Sequence, residues 1–176
     1  MARVRENPIY PISESRKVLD AWREFTATAP DAASTAFAVW GIPDHPDMPQ
    51  ELIGTPVCLI DGMYADAPEA GEALFEPLRA ISRPIMDMSG RPTYLEVQTG
   101  FDEFMRDGDL YYWKSLFLDT LSDEVVNTML SWIDHRPNPR ILVIIRHMGG
   151  AVGRVGEADW VELCSKARVL KQPLAA

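Results

Sequence analysis

Apolar residues recur at helical spacing over Ser13–Ala27, where Val18, Leu19, Trp22 and Phe25 fall on one stripe and Ser13 stands as a cap after Pro11. A first helix is therefore expected, ended by Ala29-Pro30-Asp31. Ser34–Trp40 mixes small, aromatic and β-branched residues and predicts a strand buried on both faces. Gly41–Pro56 carries Pro43, Pro46, Pro49 and Pro56, which predicts a long surface loop with His45 solvated in it. A second strand follows over Val57–Tyr64, apolar until Asp61 and Gly62. Asp66, Pro68 and Glu69 form a helix start, and the helix is expected to run to about Ile81 with Leu74, Leu78 and Ile81 inward. Pro77 removes a backbone donor inside it, so a kink or a tightened last turn is expected. Arg83–Met88 reads as a short strand and Tyr94–Thr99 as one helical turn.

Leu110–Leu118 has the alternation of a strand, with Tyr112 and Lys114 on one face and Tyr111, Trp113, Ser115 and Phe117 on the other. In the next helix Ser122 caps, Asp123 and Glu124 suit the positive end of the dipole, and Val125, Val126, Met129, Leu130 and Ile133 form the buried stripe. Arg140–His147 is a continuous apolar strand that turns polar at Arg146 and His147. Gly149-Gly150 bends it, and Ala151–Val155 is expected to continue as another strand. This order of elements predicts an α+β fold, a mostly antiparallel sheet with helices packed on one face.

Composition narrows the function classes. At 176 residues one domain is expected, and 17 Lys+Arg against 26 Asp+Glu leave a net charge of −9. Nucleic acid is a poor partner for such a chain, because phosphate binding needs a basic patch. The longest apolar run, Ile141–Ile145, stops at Arg146, far short of the roughly 20 residues that span a bilayer. The N-terminal Met1–Glu6 lacks a signal-like apolar stretch, so no membrane association and a cytoplasmic location are expected. Cys58 and Cys164 match neither a zinc motif nor a redox pair, and Cys58 reads as a small buried hydrophobe. The three histidines, His45, His135 and His147, are too scattered to predict a metal site.

Motifs for phosphate loops, dinucleotide folds, nucleophile elbows and zinc peptidases are missing. Gly149-Gly150-Ala151-Val152-Gly153 reads as a turn or bulge, and the acids Asp102, Glu103, Asp107 and Asp109 as a solvated loop. More telling are Lys114, Ser115, Arg146 and His147, polar residues on otherwise apolar strands, where an unpaired buried charge is costly. They either reach a sheet edge and pair with acids, or mark a site.

Three of these segments carry a family resemblance. Tyr111-Tyr112-Trp113-Lys114-Ser115-Leu116-Phe117-Leu118 with Leu121-Ser122-Asp123-Glu124 resembles a stretch of the FAD-linked oxidases of the berberine bridge enzyme type. Val143–Val155, with Arg146-His147-Met148-Gly149-Gly150 at its centre, resembles the Gly-Gly strand pair of that family. Val18–Arg23 followed by Ala29-Pro30-Asp31 resembles the opening of its substrate domain. The resemblance covers roughly residues 9 to 155 and implies a substrate-domain-like unit over 1–155, with an unrecognised tail, 156–176, in which Trp160, Leu163, Cys164, Ala167 and Leu170 fit a short amphipathic helix.

What the resemblance implies is the substrate-binding cap of an FAD-dependent oxidoreductase. In such enzymes an antiparallel sheet lies over the isoalloxazine ring, and the substrate passes a hydride to the flavin, which dioxygen reoxidises. The FAD-binding half has no counterpart in these residues, so the chain alone is expected to be inactive and to hold no FAD by itself. Its expected partners are a separate FAD-binding domain and a small-molecule substrate. Arg146 falls where some relatives carry a catalytic acid, but arginine stays protonated and can only orient an anionic group or the flavin edge. His147 is an acid/base near neutral pH, and Tyr112, Lys114, Tyr94 and Gln98 complete the candidate substrate-binding set. Whether Arg146 or His147 faces the substrate depends on strand register. The alternative is a stand-alone module that binds a small molecule or oligomerises, most simply as a homodimer covering the open sheet face. A cofactor-free enzyme using His147 with Lys114 or Tyr112 is the third reading.

Overall fold

The computed structural model describes residues 4–104, 108, 110–133, 135–150 and 154. Its frame is a pair of nine-residue strands, β3 (Ala33–Gly41) and β4 (Pro56–Tyr64), antiparallel along their whole length with Phe37 opposite Ile60. Two short N-terminal strands, β1 (Val4–Glu6) and β2 (Pro8–Pro11), share the other edge of β4, with Glu6 opposite Gly62 and Ile9 opposite Leu59. Asn7 breaks the run between them. It repairs the ladder through its side chain, Nδ2 donating to the Ile60 carbonyl at 3.3 Å. The sheet is completed by β5 (Met86–Asp87) beside β2 and β6 (Val143–Arg146) beside β3, all antiparallel.

Three helices cover one face: α1 (Ser15–Thr26), α2 (Pro68–Arg79) and, after a short α3 (Tyr94–Thr99), α4 (Asp123–Ile133). Val18, Leu19 and Trp22 of α1, Phe75 and Leu78 of α2, and Val126 and Ile133 of α4 meet Tyr10, Phe37, Val39, Cys58 and Ile60 in one core. Each large apolar side chain closed off there contributes about 1.5–3 kcal/mol. Two polar groups within it are paired: Trp22 Nε1 donates to Thr35 Oγ1 at 3.1 Å, and Tyr10 Oη to the Leu78 carbonyl at 2.6 Å. Arg23 ties α1 to the start of α4 through the Leu121 carbonyl and Asp123, at 3.2 and 2.7 Å. Gly71 lets α2 sit close on the sheet, since a Cβ there would lie 2.8 Å from Tyr64 Cδ1.

The expected α+β architecture, its antiparallel sheet and its one-sided helices are present. Ser122 caps α4 as expected, its Oγ accepting from Val125 N–H at 3.3 Å. At Ser13 the chain instead makes a 3₁₀ turn over Ile12–Glu14, and α1 starts at Ser15 without a side-chain cap. Helix α2 continues through Pro77 to Arg79 and stops short of Ile81, with Ala80 N–H still reaching the Glu76 carbonyl at 3.1 Å. Of Arg83–Met88 only Met86–Asp87 is strand, and of Arg140–His147 only Val143–Arg146.

Leu110–Leu118 corrects the expectation most: it forms no strand, and Trp113 is 62% exposed. Both of its alternating faces carry aromatic or aliphatic residues, so no single face selects a register or a neighbour. The Gly41–Pro56 segment is likewise more than a surface loop. Ile42 and Met48 are buried with Ile9 and Val57 on the sheet face away from the helices. His45 is buried as well, its ring 5.0 Å from that of Phe104 and its Nδ1 accepting from Asp47 N–H at 3.2 Å. The expected strand at Ala151–Val155, apart from Arg154, and the tail helix lie outside the described residues, as do Asp107, Asp109 and Cys164. Among the described residues no helix is long and apolar enough to cross a membrane.

Candidate functional site

Strand alternation sends Thr35, Phe37 and Val39 toward the helices and Ala36, Ala38 and Trp40 to the opposite face. On that opposite face the two alanines leave a trough, because their neighbours Leu59 on β4 and Ile144 on β6 are larger. Ile9 continues the floor on β2. Phe101 and Phe104, packed on each other at 6.3 Å between ring centroids, flank it, and Trp40 meets Phe104 edge to face at 5.7 Å. Met48, Met86 and Met88 complete the walls with flexible, polarisable side chains. The result is a partly open cavity of about 100 Å³ with mainly apolar walls.

One end of this cavity is polar. Asp61 interrupts the apolar run of β4, and its Oδ1 accepts from Asn7 Nδ2 at 3.2 Å and from Arg5 Nε at 3.4 Å. On the far side of Ala36, in the same cross-strand row, stands Arg146. Its register opposite Ala36 directs it into the cavity, whose lining it joins. Arg146 is exposed, and no carboxylate among the described residues pairs with it.

The remaining sequence candidates lie elsewhere. His147 is outside the lining: its backbone N–H donates to the Thr35 carbonyl at 3.0 Å, and its Nδ1 is buried with no hydrogen-bond partner among the described residues. Tyr94 and Gln98 are one exposed turn apart on α3, Tyr94 Oη donating to Gln98 Oε1 at 3.2 Å. Lys114 Nζ sits 5.9 Å from the centroid of the Tyr112 ring, so those two do share a side of the chain, but on the exposed 110–118 segment and outside the cavity. The cavity thus brings together Arg146 with Arg5, Asn7 and Asp61, which the sequence reading did not single out as a group. The Asp61 interruption of an apolar strand was the one visible signal; Arg5 and Asn7 gave none.

Besides Tyr10, whose hydroxyl burial pushes up to about 12, burial perturbs two titratable groups on the helix side. Burial pushes the Cys58 thiol up to about 12, and its Sγ faces the Pro11 carbonyl at 3.6 Å, so it is an inert core residue as expected. Glu6 is fully closed from solvent, and burial raises its carboxyl to about 7 despite Arg79 Nη2 at 2.6 Å from Oε2. Both belong to the core and not to the cavity. Among the described residues no group of three His, Cys, Asp or Glu is placed to hold a metal ion. No protein-family model and no curated protein matches the chain. The arrangement offers an apolar slot closed at one end by a guanidinium and a hydrogen-bonded carboxylate.

Proposed function

We propose that this chain is the substrate-binding domain of an FAD-dependent oxidoreductase of the berberine bridge enzyme type, with FAD held by another domain. The observation that carries the reading is the sheet face opposite α1, α2 and α4, with its apolar cavity ending at Arg146, a surface on which a planar ring or a substrate can lie. The sequence motifs around Tyr111–Leu118 and Val143–Val155 favour the same family. The flavin, when bound, supplies the hydride acceptor. The apolar recess of this face, about 100 Å³, is too small to enclose the three-ring flavin system, so the ring would lie against the face and not within it. Among the described residues Arg146 is the one unpaired guanidinium lining the recess, so the face does not suit the whole dinucleotide. The chain by itself binds and orients, and does not turn over substrate.

Co-expression with a separate FAD-binding domain of such an oxidase tests this directly. The pair is expected to co-purify with a flavin absorption band, while the chain alone stays colourless after incubation with FAD. Failure of the added domain to restore flavin binding or oxidation sinks the reading.

The exposed segment from Leu110 to Leu118 favours a second reading, an oligomerising module. Leu110, Tyr112, Trp113 and Leu116 all stand in solvent along one stretch, and such apolar surface associates in water. Light scattering is then expected to report a dimer that dissociates on dilution. A monomer at every concentration removes this reading.

A further inference from the structure

The cavity has a charge character that names the class of molecule it takes. Its polar end holds two guanidinium groups, Arg5 and Arg146, and one carboxylate, Asp61. Asp61 is already engaged by Asn7 and Arg5. Arg146 lies two strands away in the same row, with the methyl of Ala36 between them. At about 4.8 Å per strand spacing, the Arg146 and Asp61 backbones are roughly 10 Å apart. Among the described residues this leaves Arg146 as one unpaired positive charge at the end of an apolar slot, in a chain whose net charge is −9.

The slot is about 100 Å³, about two-thirds of the roughly 150 Å³ closed apolar cavity that admits benzene, and it is partly open, so one flat ring is the most it can take. Its walls are aliphatic and aromatic, and three methionines give them the adaptability to close on a flat ring. Guanidinium pairs with carboxylate through two parallel hydrogen bonds, a geometry that a hydroxyl or an amide does not reproduce. We infer that this face binds an aromatic carboxylate, its ring between Ala38, Leu59 and Phe104 and its carboxylate on Arg146. The inference rests on the proposed small-molecule role of this face but not on the flavin.

The test uses the full chain carrying ¹³C-methyl methionine, with benzoate and benzyl alcohol as probes. These share one ring and differ in the anionic group. Met48, Met86 and Met88 line the cavity, whereas Met129 packs on the helix side and serves as the internal reference. Benzoate is expected to shift the three cavity methyls and leave Met129 in place, with at least a tenfold lower Kd than benzyl alcohol. Arg146→Gln, a change at an exposed side chain, is expected to raise the benzoate Kd to that of the alcohol while leaving the alcohol unaffected. Equal affinity for the two probes, unmoved by Arg146→Gln, overturns the carboxylate assignment and leaves the small-molecule face standing. Failure of both probes to shift the cavity methyls overturns the inference and the proposed role of the face together.

Discussion

The two faces of the sheet are built from the same strands and finished differently. Toward the helices β3 presents Phe37 and Val39 and β4 presents Cys58 and Ile60, all buried and interlocked with α1, α2 and α4. Toward the other side the same strands present Ala36, Ala38, Leu59 and Asp61, covered only in part by the loop after β3 and by Phe101 and Phe104. Side-chain volume decides the outcome. Large residues fill the first face to the density of a core, while paired alanines hollow the second. The hollow adds no packing to the fold, and among the described residues the arginine at its end has no carboxylate partner.

The widest gap between the faces is expected in their response to truncation. Phe37→Ala opens a void in the closed face and is expected to cost about 3–5 kcal/mol. Leu59→Ala enlarges a space that is already partly open and is expected to cost about 1–2 kcal/mol. Urea unfolding of both variants measures the difference. Equal losses mean that the second face is packed as tightly as the first, and that the cavity has no special standing.

How much of this was legible follows from how each face is encoded. The closed face rests on long apolar strands and on helices with caps and stripes, and β3, β4 and α4 could be read from those patterns. The open face depends on pieces without such patterns. Strands β1 and β2 have three and four residues, and Pro8 and Pro11 bound β2, so they give no period to read. The cover from Ile42 and Met48 sits in a proline-rich segment whose composition signals solvent. Arg146 was visible as a charge on an apolar strand, but its direction needed the register opposite Ala36. Leu110–Leu118 failed for the opposite reason: it has a strand's alternation and no face that decides where it belongs.

Glu6 gives the comparison a pH dependence of smaller size. It lies on the closed face opposite Gly62, which Phe75 also crowds, and burial raises its carboxyl to about 7 from an ordinary 4.5. Between those values the unfolded chain has lost the proton that the folded chain keeps. Folding stability is therefore expected to fall as pH rises from about 4.5 to 7, by on the order of 3 kcal/mol, and to level off above. Asp31, Glu72, Glu96 and Asp123 are held below their ordinary values by arginines or by a helix cap, so their contribution is lost only as pH falls below about 4, outside this window. Thermal melts at pH 5 and pH 8 should show the slope in the wild-type chain and its disappearance in Glu6→Gln. A wild-type chain more stable at pH 8 than at pH 5 contradicts the assignment.

The smallest effect is expected where the open face is most exposed. Arg146 reaches no carboxylate among the described residues and its side chain is exposed, so its removal strands no buried partner. Arg146→Gln should change unfolding free energy by less than about 0.5 kcal/mol, the range of surface substitutions without a structural role. That near-silence matters more than its size. A charge that contributes nothing to the fold, placed at the end of an apolar slot, would support the proposed ligand. A loss well above about 1 kcal/mol would instead make Arg146 part of the scaffold, and the slot would then lack the group that gives it an end.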